Sequence, residues 1–207
     1  MFHHRSTKEV SITLSIIGCV IEFVALTGGI YVVGLRCKHL RWQDIGLRTL
    51  AKRWYPGVIL LSLLVIPLGT LATVLVQAIA RQPRTDPQLP VLLPHGLTWA
   101  SAFVLVLLVG IVVPFAEELF FRGLLYKFIR ERWGFWAATI ISALVFGAAH
   151  LDLGIGASAF VLGLGCAFAY ERSQSLWSAV ILHAVSNTMK LLMIYLFMAS
   201  SLHIPLF

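Results

Sequence analysis

Val113-Pro114-Phe115-Ala116-Glu117-Glu118-Leu119-Phe120-Phe121-Arg122 places three charged side chains within six positions of a run that is otherwise apolar from Val104 onward. An ionisable group at mid-depth in a bilayer costs several kcal/mol unless it finds a partner or water. Glu118 and Arg122 are four residues apart and share a helix face, so the guanidinium can neutralise that carboxylate. Glu117 is turned about 100° away and is left for another partner. A collar of ion pairs at the membrane surface is the competing reading. The cluster begins well over two helical turns before Lys127, which argues against it.

Working outward, the composition agrees with a membrane setting. Of the 207 residues, 59% are hydrophobic and 12% are charged, and mean hydropathy is +0.89. These values exclude a soluble globule, a disordered chain and a secreted disulfide scaffold. The formal charge is +7, which in a soluble chain would suggest nucleic acid. In this chain basic residues flanking apolar runs explain it, and no nucleic-acid partner is expected. Cys19, Cys37 and Cys166 form no C-x-x-C pair and suggest neither disulfides nor a zinc knuckle.

A span needs about 20 apolar residues. The sequence therefore predicts an all-α, polytopic transmembrane helix bundle of about six spans, within a range of six to eight. The spans run near Ile12–Val33, Gly57–Ala80, Thr98–Tyr126, Phe135–His150, Ile155–Tyr170 and Leu176–Met198. Residues 1–96 form an N-terminal membrane region with two spans, and 97–207 a catalytic core. Between the second and third spans, Pro83, Pro87, Pro90 and Pro94 forbid regular helix and predict a surface linker. Arg36, Lys38, Arg41, Arg48, Lys52, Arg53, Lys127, Arg130, Arg132 and Arg172 fall in odd-numbered loops, against Arg5, Lys8, Arg81 and Arg84 opposite. The positive-inside rule then puts the odd loops in the cytoplasm and both termini outside.

Two other spans carry polar groups. Phe146 and His150 close the fourth, and His183 and Asn187 lie one turn apart on the sixth. At 1.5 Å per residue from the cytoplasmic side, Glu117 lies about 13 Å deep, His183 about 10 Å, Asn187 about 16 Å and His150 about 20 Å. All four can share one layer, and the small residues Gly147, Ala148, Ala149, Gly163, Gly165 and Ala184 would let these helices approach closely. A carboxylate, imidazoles and an amide in a membrane cavity are the parts needed to add water to a carbonyl. Peptide hydrolysis is the leading expectation. The sequence has no His-Glu-x-x-His and no Gly-x-Gly-Asp, so the zincin and aspartyl intramembrane types do not fit. Ser158 reads as packing, Glu22 as structural, and Lys190 has no assigned role.

The E-E-x-x-x-R at Glu117, Glu118 and Arg122, the F-x-x-x-H at Phe146 and His150, and the H-x-x-x-N at His183 and Asn187 occur in that order on three spans. Together they closely resemble the CPBP family of intramembrane proteases, over roughly Val113–Leu192. That family includes the type II CAAX prenyl endopeptidases and bacterial proteins linked to bacteriocin processing and self-immunity. Trp42-Gln43-Asp44-Ile45-Gly46-Leu47 also resembles a segment that joins the first two helices in bacterial members. The resemblance implies a cavity open to the cytoplasm and sideways to lipid. It implies that Glu117 and His150 activate water, that His183 and Asn187 form the oxyanion site, and that Glu118 and Arg122 order the helix.

Either no cofactor or a divalent metal such as zinc is compatible with the resemblance; Glu117, His150 and His183 would be the ligands. The expected setting is a bacterial plasma membrane. The expected partners are lipid and a membrane-associated or prenylated peptide or protein. A non-catalytic immunity or scaffold protein of the same fold and a proton-coupled transporter are the competing classes. The complete motifs argue against the first, and the lack of paired interrupted helices or inverted repeats against the second.

Overall fold

The computed structural model describes residues 12–82 and 98–202. The expected proline-rich linker, and Arg5, Lys8 and Arg84 of the charge comparison, lie outside them. The described residues are helical with no strand, and the chain is an all-α polytopic membrane bundle.

The helices are α1 (Ile12–Gly29), α2 (Tyr55–Ile79), α3 (Trp99–Leu107), α4 (Val113–Glu118), α5 (Lys127–Ala148), α6 (Leu153–Ser173) and α7 (Leu176–Leu202). Wider π-helical segments extend α1 at Ile30–Cys37, join α3 to α4 at Leu108–Val112, and join α4 to α5 at Leu119–Tyr126. Among the described residues, five runs are long and apolar enough to cross a membrane. The third, Ala102–Ala148, has 47 residues, and a straight helix of that length would reach about 70 Å, twice the hydrocarbon core. It breaks at Gly134, where φ is +80° and ψ −177°, a conformation that only glycine adopts without strain. One run therefore supplies two legs, which recovers the six expected spans with a break between Tyr126 and Phe135.

The core forms around α6, against which α2, α5 and α7 pack. Val65 of α2, Phe121 and Phe146 of the long run, Leu162 and Cys166 of α6 and Leu182 of α7 make one buried cluster. Close approach depends on small residues. A Cβ on Gly163 would lie 3.0 Å from the Ala143 backbone and 3.2 Å from Arg122 Nη2, and one on Gly147 only 2.7 Å from Gly156 O. Away from these contacts α2 turns Leu60, Leu63, Leu64, Leu68 and Leu71 outward. A solvated protein could not expose such a face, but lipid can cover it.

Three loops rich in basic residues meet at one end of the bundle. Leu176 N donates to Gly46 O at 2.8 Å, Ser175 Oγ to Arg48 O at 2.5 Å, and Lys127 Nζ to Asp44 O. This brings the first, third and fifth loops together, as the charge comparison requires. Gly46 has φ +90°, and the Tyr170 hydroxyl lies 2.5 Å from where its Cβ would sit. Asp44 accepts from both the backbone and the side chain of Arg41, and these bonds hold its carboxyl below the ordinary carboxylate range.

Candidate active site

Pro114 has no N–H to offer Gly110 O, and its ring crowds that carbonyl. The chain widens just before it, with Val113 N–H reaching back five residues to Leu108 O. The wider turn leaves Val109 O open to a partner on another helix, and Asn187 Nδ2 of α7 donates to it at 3.3 Å. A second π-helical segment begins at Leu119, directly after the carboxylates. Turns of this kind recur at functional sites because they re-aim side chains within a continuous helix. Glu117 and Glu118 thus occupy a short α-helical island between two widened stretches.

The four residues Glu117, Glu118, Arg122 and His183 are 8%, 0%, 0% and 2% exposed. Glu118 Oε1 accepts from Arg122 Nη1 at 2.9 Å and pairs with His183 Nδ1 at 2.7 Å. The guanidinium also donates through Nη2 to Gly163 O at 3.0 Å, and it lies 4.8 Å from the Phe146 ring centre. This is the Glu118–Arg122 pairing that their spacing predicts, extended by a histidine. With Nδ1–H donated to Glu118, His183 turns Nε2 toward Glu117 Oε2 at 3.6 Å. That separation is too long for a direct hydrogen bond. A carboxylate and an imidazole lone pair face one another, an arrangement that a shared proton or a bound water resolves.

His150 is held differently. Its Nδ1 pairs with Phe146 O at 2.9 Å. A carbonyl only accepts, so Nδ1 carries the proton and Nε2 keeps its lone pair. The Phe146 ring stands edge-on to both imidazoles, 5.1 Å from His150 and 5.5 Å from His183 between centres. Among the described residues no hydrogen bond or ion pair joins His150 to Glu117. The structure therefore brings together Glu117, Glu118, Arg122 and His183, ties Asn187 to the backbone beside them, and sets His150 across Phe146.

Three features escaped the sequence. Lys190 Nζ donates to Ser158 Oγ at 3.1 Å, linking α7 to α6. Glu22 lies on α1, which packs against the helix that carries Glu117. Cys166, fully buried on α6, lies beside Glu118 and His183. The three-donor group that converges among the described residues is Glu118, Cys166 and His183, within 4.8 Å of one another. This set differs from the Glu117, His150 and His183 that the resemblance implied. The spacing of Lys190 one turn beyond Asn187 was a visible signal; no spacing announces the other two, which depend on how α1 and α6 pack.

Between α1 and α4 lies an apolar cavity of about 420 Å³ lined by Phe23, Thr27, Ile30, Trp42, Leu47, Phe115 and Leu119. Phe115 and Leu119 are four residues apart and share a face, so the cavity borders the side of this helix turned away from Glu117.

Residues 98–189 match the family model of type II CAAX prenyl endopeptidases, Rce1-like. The Bacillus subtilis protein named "Putative membrane peptidase YdiL" is 30% identical over 90 residues, which is 44% of this chain and 37% of that protein. An uncharacterized 24.3 kDa protein of Escherichia coli is 36% identical over 91 residues, 42% of each chain. The chain thus covers about two fifths of the length of these curated relatives. No solved structure gives a significant match. The matched stretch contains every residue of the buried ionic cluster.

Proposed function

Given that this chain belongs to the CPBP family, we propose that it is an intramembrane endopeptidase that hydrolyses a peptide bond with side-chain-activated water. The observation that carries this reading is His183 held between two buried carboxylates inside an apolar helix bundle, Glu118 at 2.7 Å and Glu117 at 3.6 Å. A scaffold has no use for such an arrangement, because each buried ion must be partnered at a cost of several kcal/mol.

In this mechanism Glu117 takes a proton from water as its oxygen attacks the scissile carbonyl carbon. His150, with its Nδ1–H fixed on Phe146 O, offers the Nε2 lone pair to the same water. His183, protonated on both nitrogens with Nδ1–H on Glu118, presents Nε2–H to the developing oxyanion, and Asn187 adds its second amide hydrogen. The tetrahedral intermediate collapses as Glu117 returns the proton to the leaving amine. Glu118 and Arg122 touch no reacting atom; they hold His183 in place. No step is routed through a metal: among the described residues the three donors within 4.8 Å of one another are Glu118, Cys166 and His183, not the set implied for it.

The cavity beside α4 would admit apolar groups from the lipid side. We place the protein in the bacterial plasma membrane, with this site facing the cytoplasm, and its substrates among membrane-associated peptides or proteins, prenylated ones included. Comparative membrane proteomics of wild-type and Glu117→Ala strains tests the proposal. A full-length substrate should accumulate, and its fragments should disappear, in the variant; identical peptide profiles would refute it.

A further inference from the structure

Cys166 takes no part in the proposed hydrolysis, yet it sits against the residues that hold His183. Its Sγ, a carboxylate oxygen of Glu118 and a ring nitrogen of His183 lie within 4.8 Å of one another. All three side chains are buried, at 0%, 0% and 2% exposure. A cysteine beneath this pair would by itself mean only packing. A second observation points to a ligand: Glu118 Oε2, fully buried, has no hydrogen-bond partner within bonding geometry, whereas Oε1 is committed to Arg122 and His183. One oxygen therefore orders the helix, and the other makes no hydrogen bond of good geometry, with an imidazole and the Cys166 thiol, whose Sγ is 3.7 Å from Ala179 O, in reach.

From this juxtaposition we propose that Glu118, Cys166 and His183 form an inhibitory site for a thiophilic divalent cation such as zinc. The donor set is one sulfur, one nitrogen and one oxygen, a mixture that zinc accepts in tetrahedral sites. Bonds of about 2.0–2.3 Å put tetrahedral ligands about 3.3–3.6 Å apart, so donors now within 4.8 Å need to close by about 1 Å. Binding forms a sulfur–metal bond as the thiol proton leaves to solvent, and the metal takes the space between His183 and Glu118. Their hydrogen bond is then lost, and closing of the ring onto the metal draws His183 Nε2 away from Glu117 and the substrate. Arg122 stays on Oε1, and its charge keeps the affinity below that of a closed structural zinc site. Inhibition rests on the proposed hydrolysis, but the binding itself does not.

The test uses the full-length purified protein carrying Cys19→Ser and Cys37→Ser, so that Cys166 is its only thiol. Cobalt(II) added alone should produce thiolate-to-cobalt charge-transfer absorption that zinc displaces at one equivalent. Absence of that absorption overturns the site, whether or not any protease activity has been found. Cys166→Ser is then added. Loss of an outer-shell partner already weakens a metal site about 10–100-fold, so loss of the thiolate should raise the half-inhibiting zinc concentration by about 100-fold or more, each protein referred to its own zinc-free rate. Equal zinc sensitivity with and without Cys166 would overturn the inhibitory role. The cobalt measurement needs no substitution at Cys166, so a poorly folding variant does not blunt the test.

Discussion

Glu118–Arg122 and Glu171–Arg130 are chemically the same pair, closed at 2.9 Å and 2.8 Å. Their surroundings are opposite. Both side chains of the first are fully buried, whereas those of the second are 20% and 42% exposed and share their end of the bundle with Tyr126, whose hydroxyl donates to Glu171 at 2.8 Å. The comparison teaches that contact length says little about what an ion pair does. In water-accessible surroundings either partner can be solvated alone, so the pair is a modest clasp. Inside the bundle neither partner can be solvated, so each requires the other, and the pair becomes a fixed mount on which His183 is oriented.

The comparison breaks first at Arg122. Arg122→Met leaves Glu118 buried without its counter-charge, and the expected loss of stability is about 3–5 kcal/mol, read as a lower melting temperature in detergent. Adding Glu118→Gln should recover part of it, because two neutral groups need no mutual compensation; a double variant less stable than Arg122→Met would contradict the buried-pair account. Asn187→Ala comes next. Removing one oxyanion donor should slow hydrolysis by about 10²–10³, while the loss of its bond to Val109 O should lower the melting temperature far less than Arg122→Met does, which separates the reacting residues from the mount. At the exposed pair, Arg130→Ala should shift the melting temperature far less than Arg122→Met does, and equal shifts would erase the distinction.

The smallest effect belongs to Asp44, whose carboxyl Arg41 holds below the usual range. A depressed folded value means that this contribution is full above the unfolded carboxylate range and is lost as pH falls through the folded value. Protease cutting of the loop between α1 and α2 should therefore rise only at strongly acidic pH, and a rise beginning near neutrality would contradict the assignment.

Much of this was legible in the residues. Six spans, the Glu118–Arg122 pairing and the break before Phe135 follow from apolar run length, i,i+4 geometry and the scarcity of charge. What the sequence could not supply was rotation. Whether His150 faces Glu117 depends on the turn at Phe146, and the structure packs both imidazoles against that one aromatic ring. The widened turns on either side of Val113–Glu118 were signalled only by Pro114, and their consequence, an open Val109 carbonyl met by Asn187, needs the neighbouring helix. Cys166 and Glu22 acquire meaning only once α6 and α1 are packed, because no local pattern records which distant helix they will face.

The central claim is that Glu117 activates water. The most direct measurement is cleavage of a membrane-peptide library by the purified protein in proteoliposomes, compared with Glu117→Gln, which keeps the size of the side chain and removes the base. The account predicts defined peptide products from wild type and none from the variant, with equal melting temperatures. Retained cleavage by folded Glu117→Gln protein would contradict it.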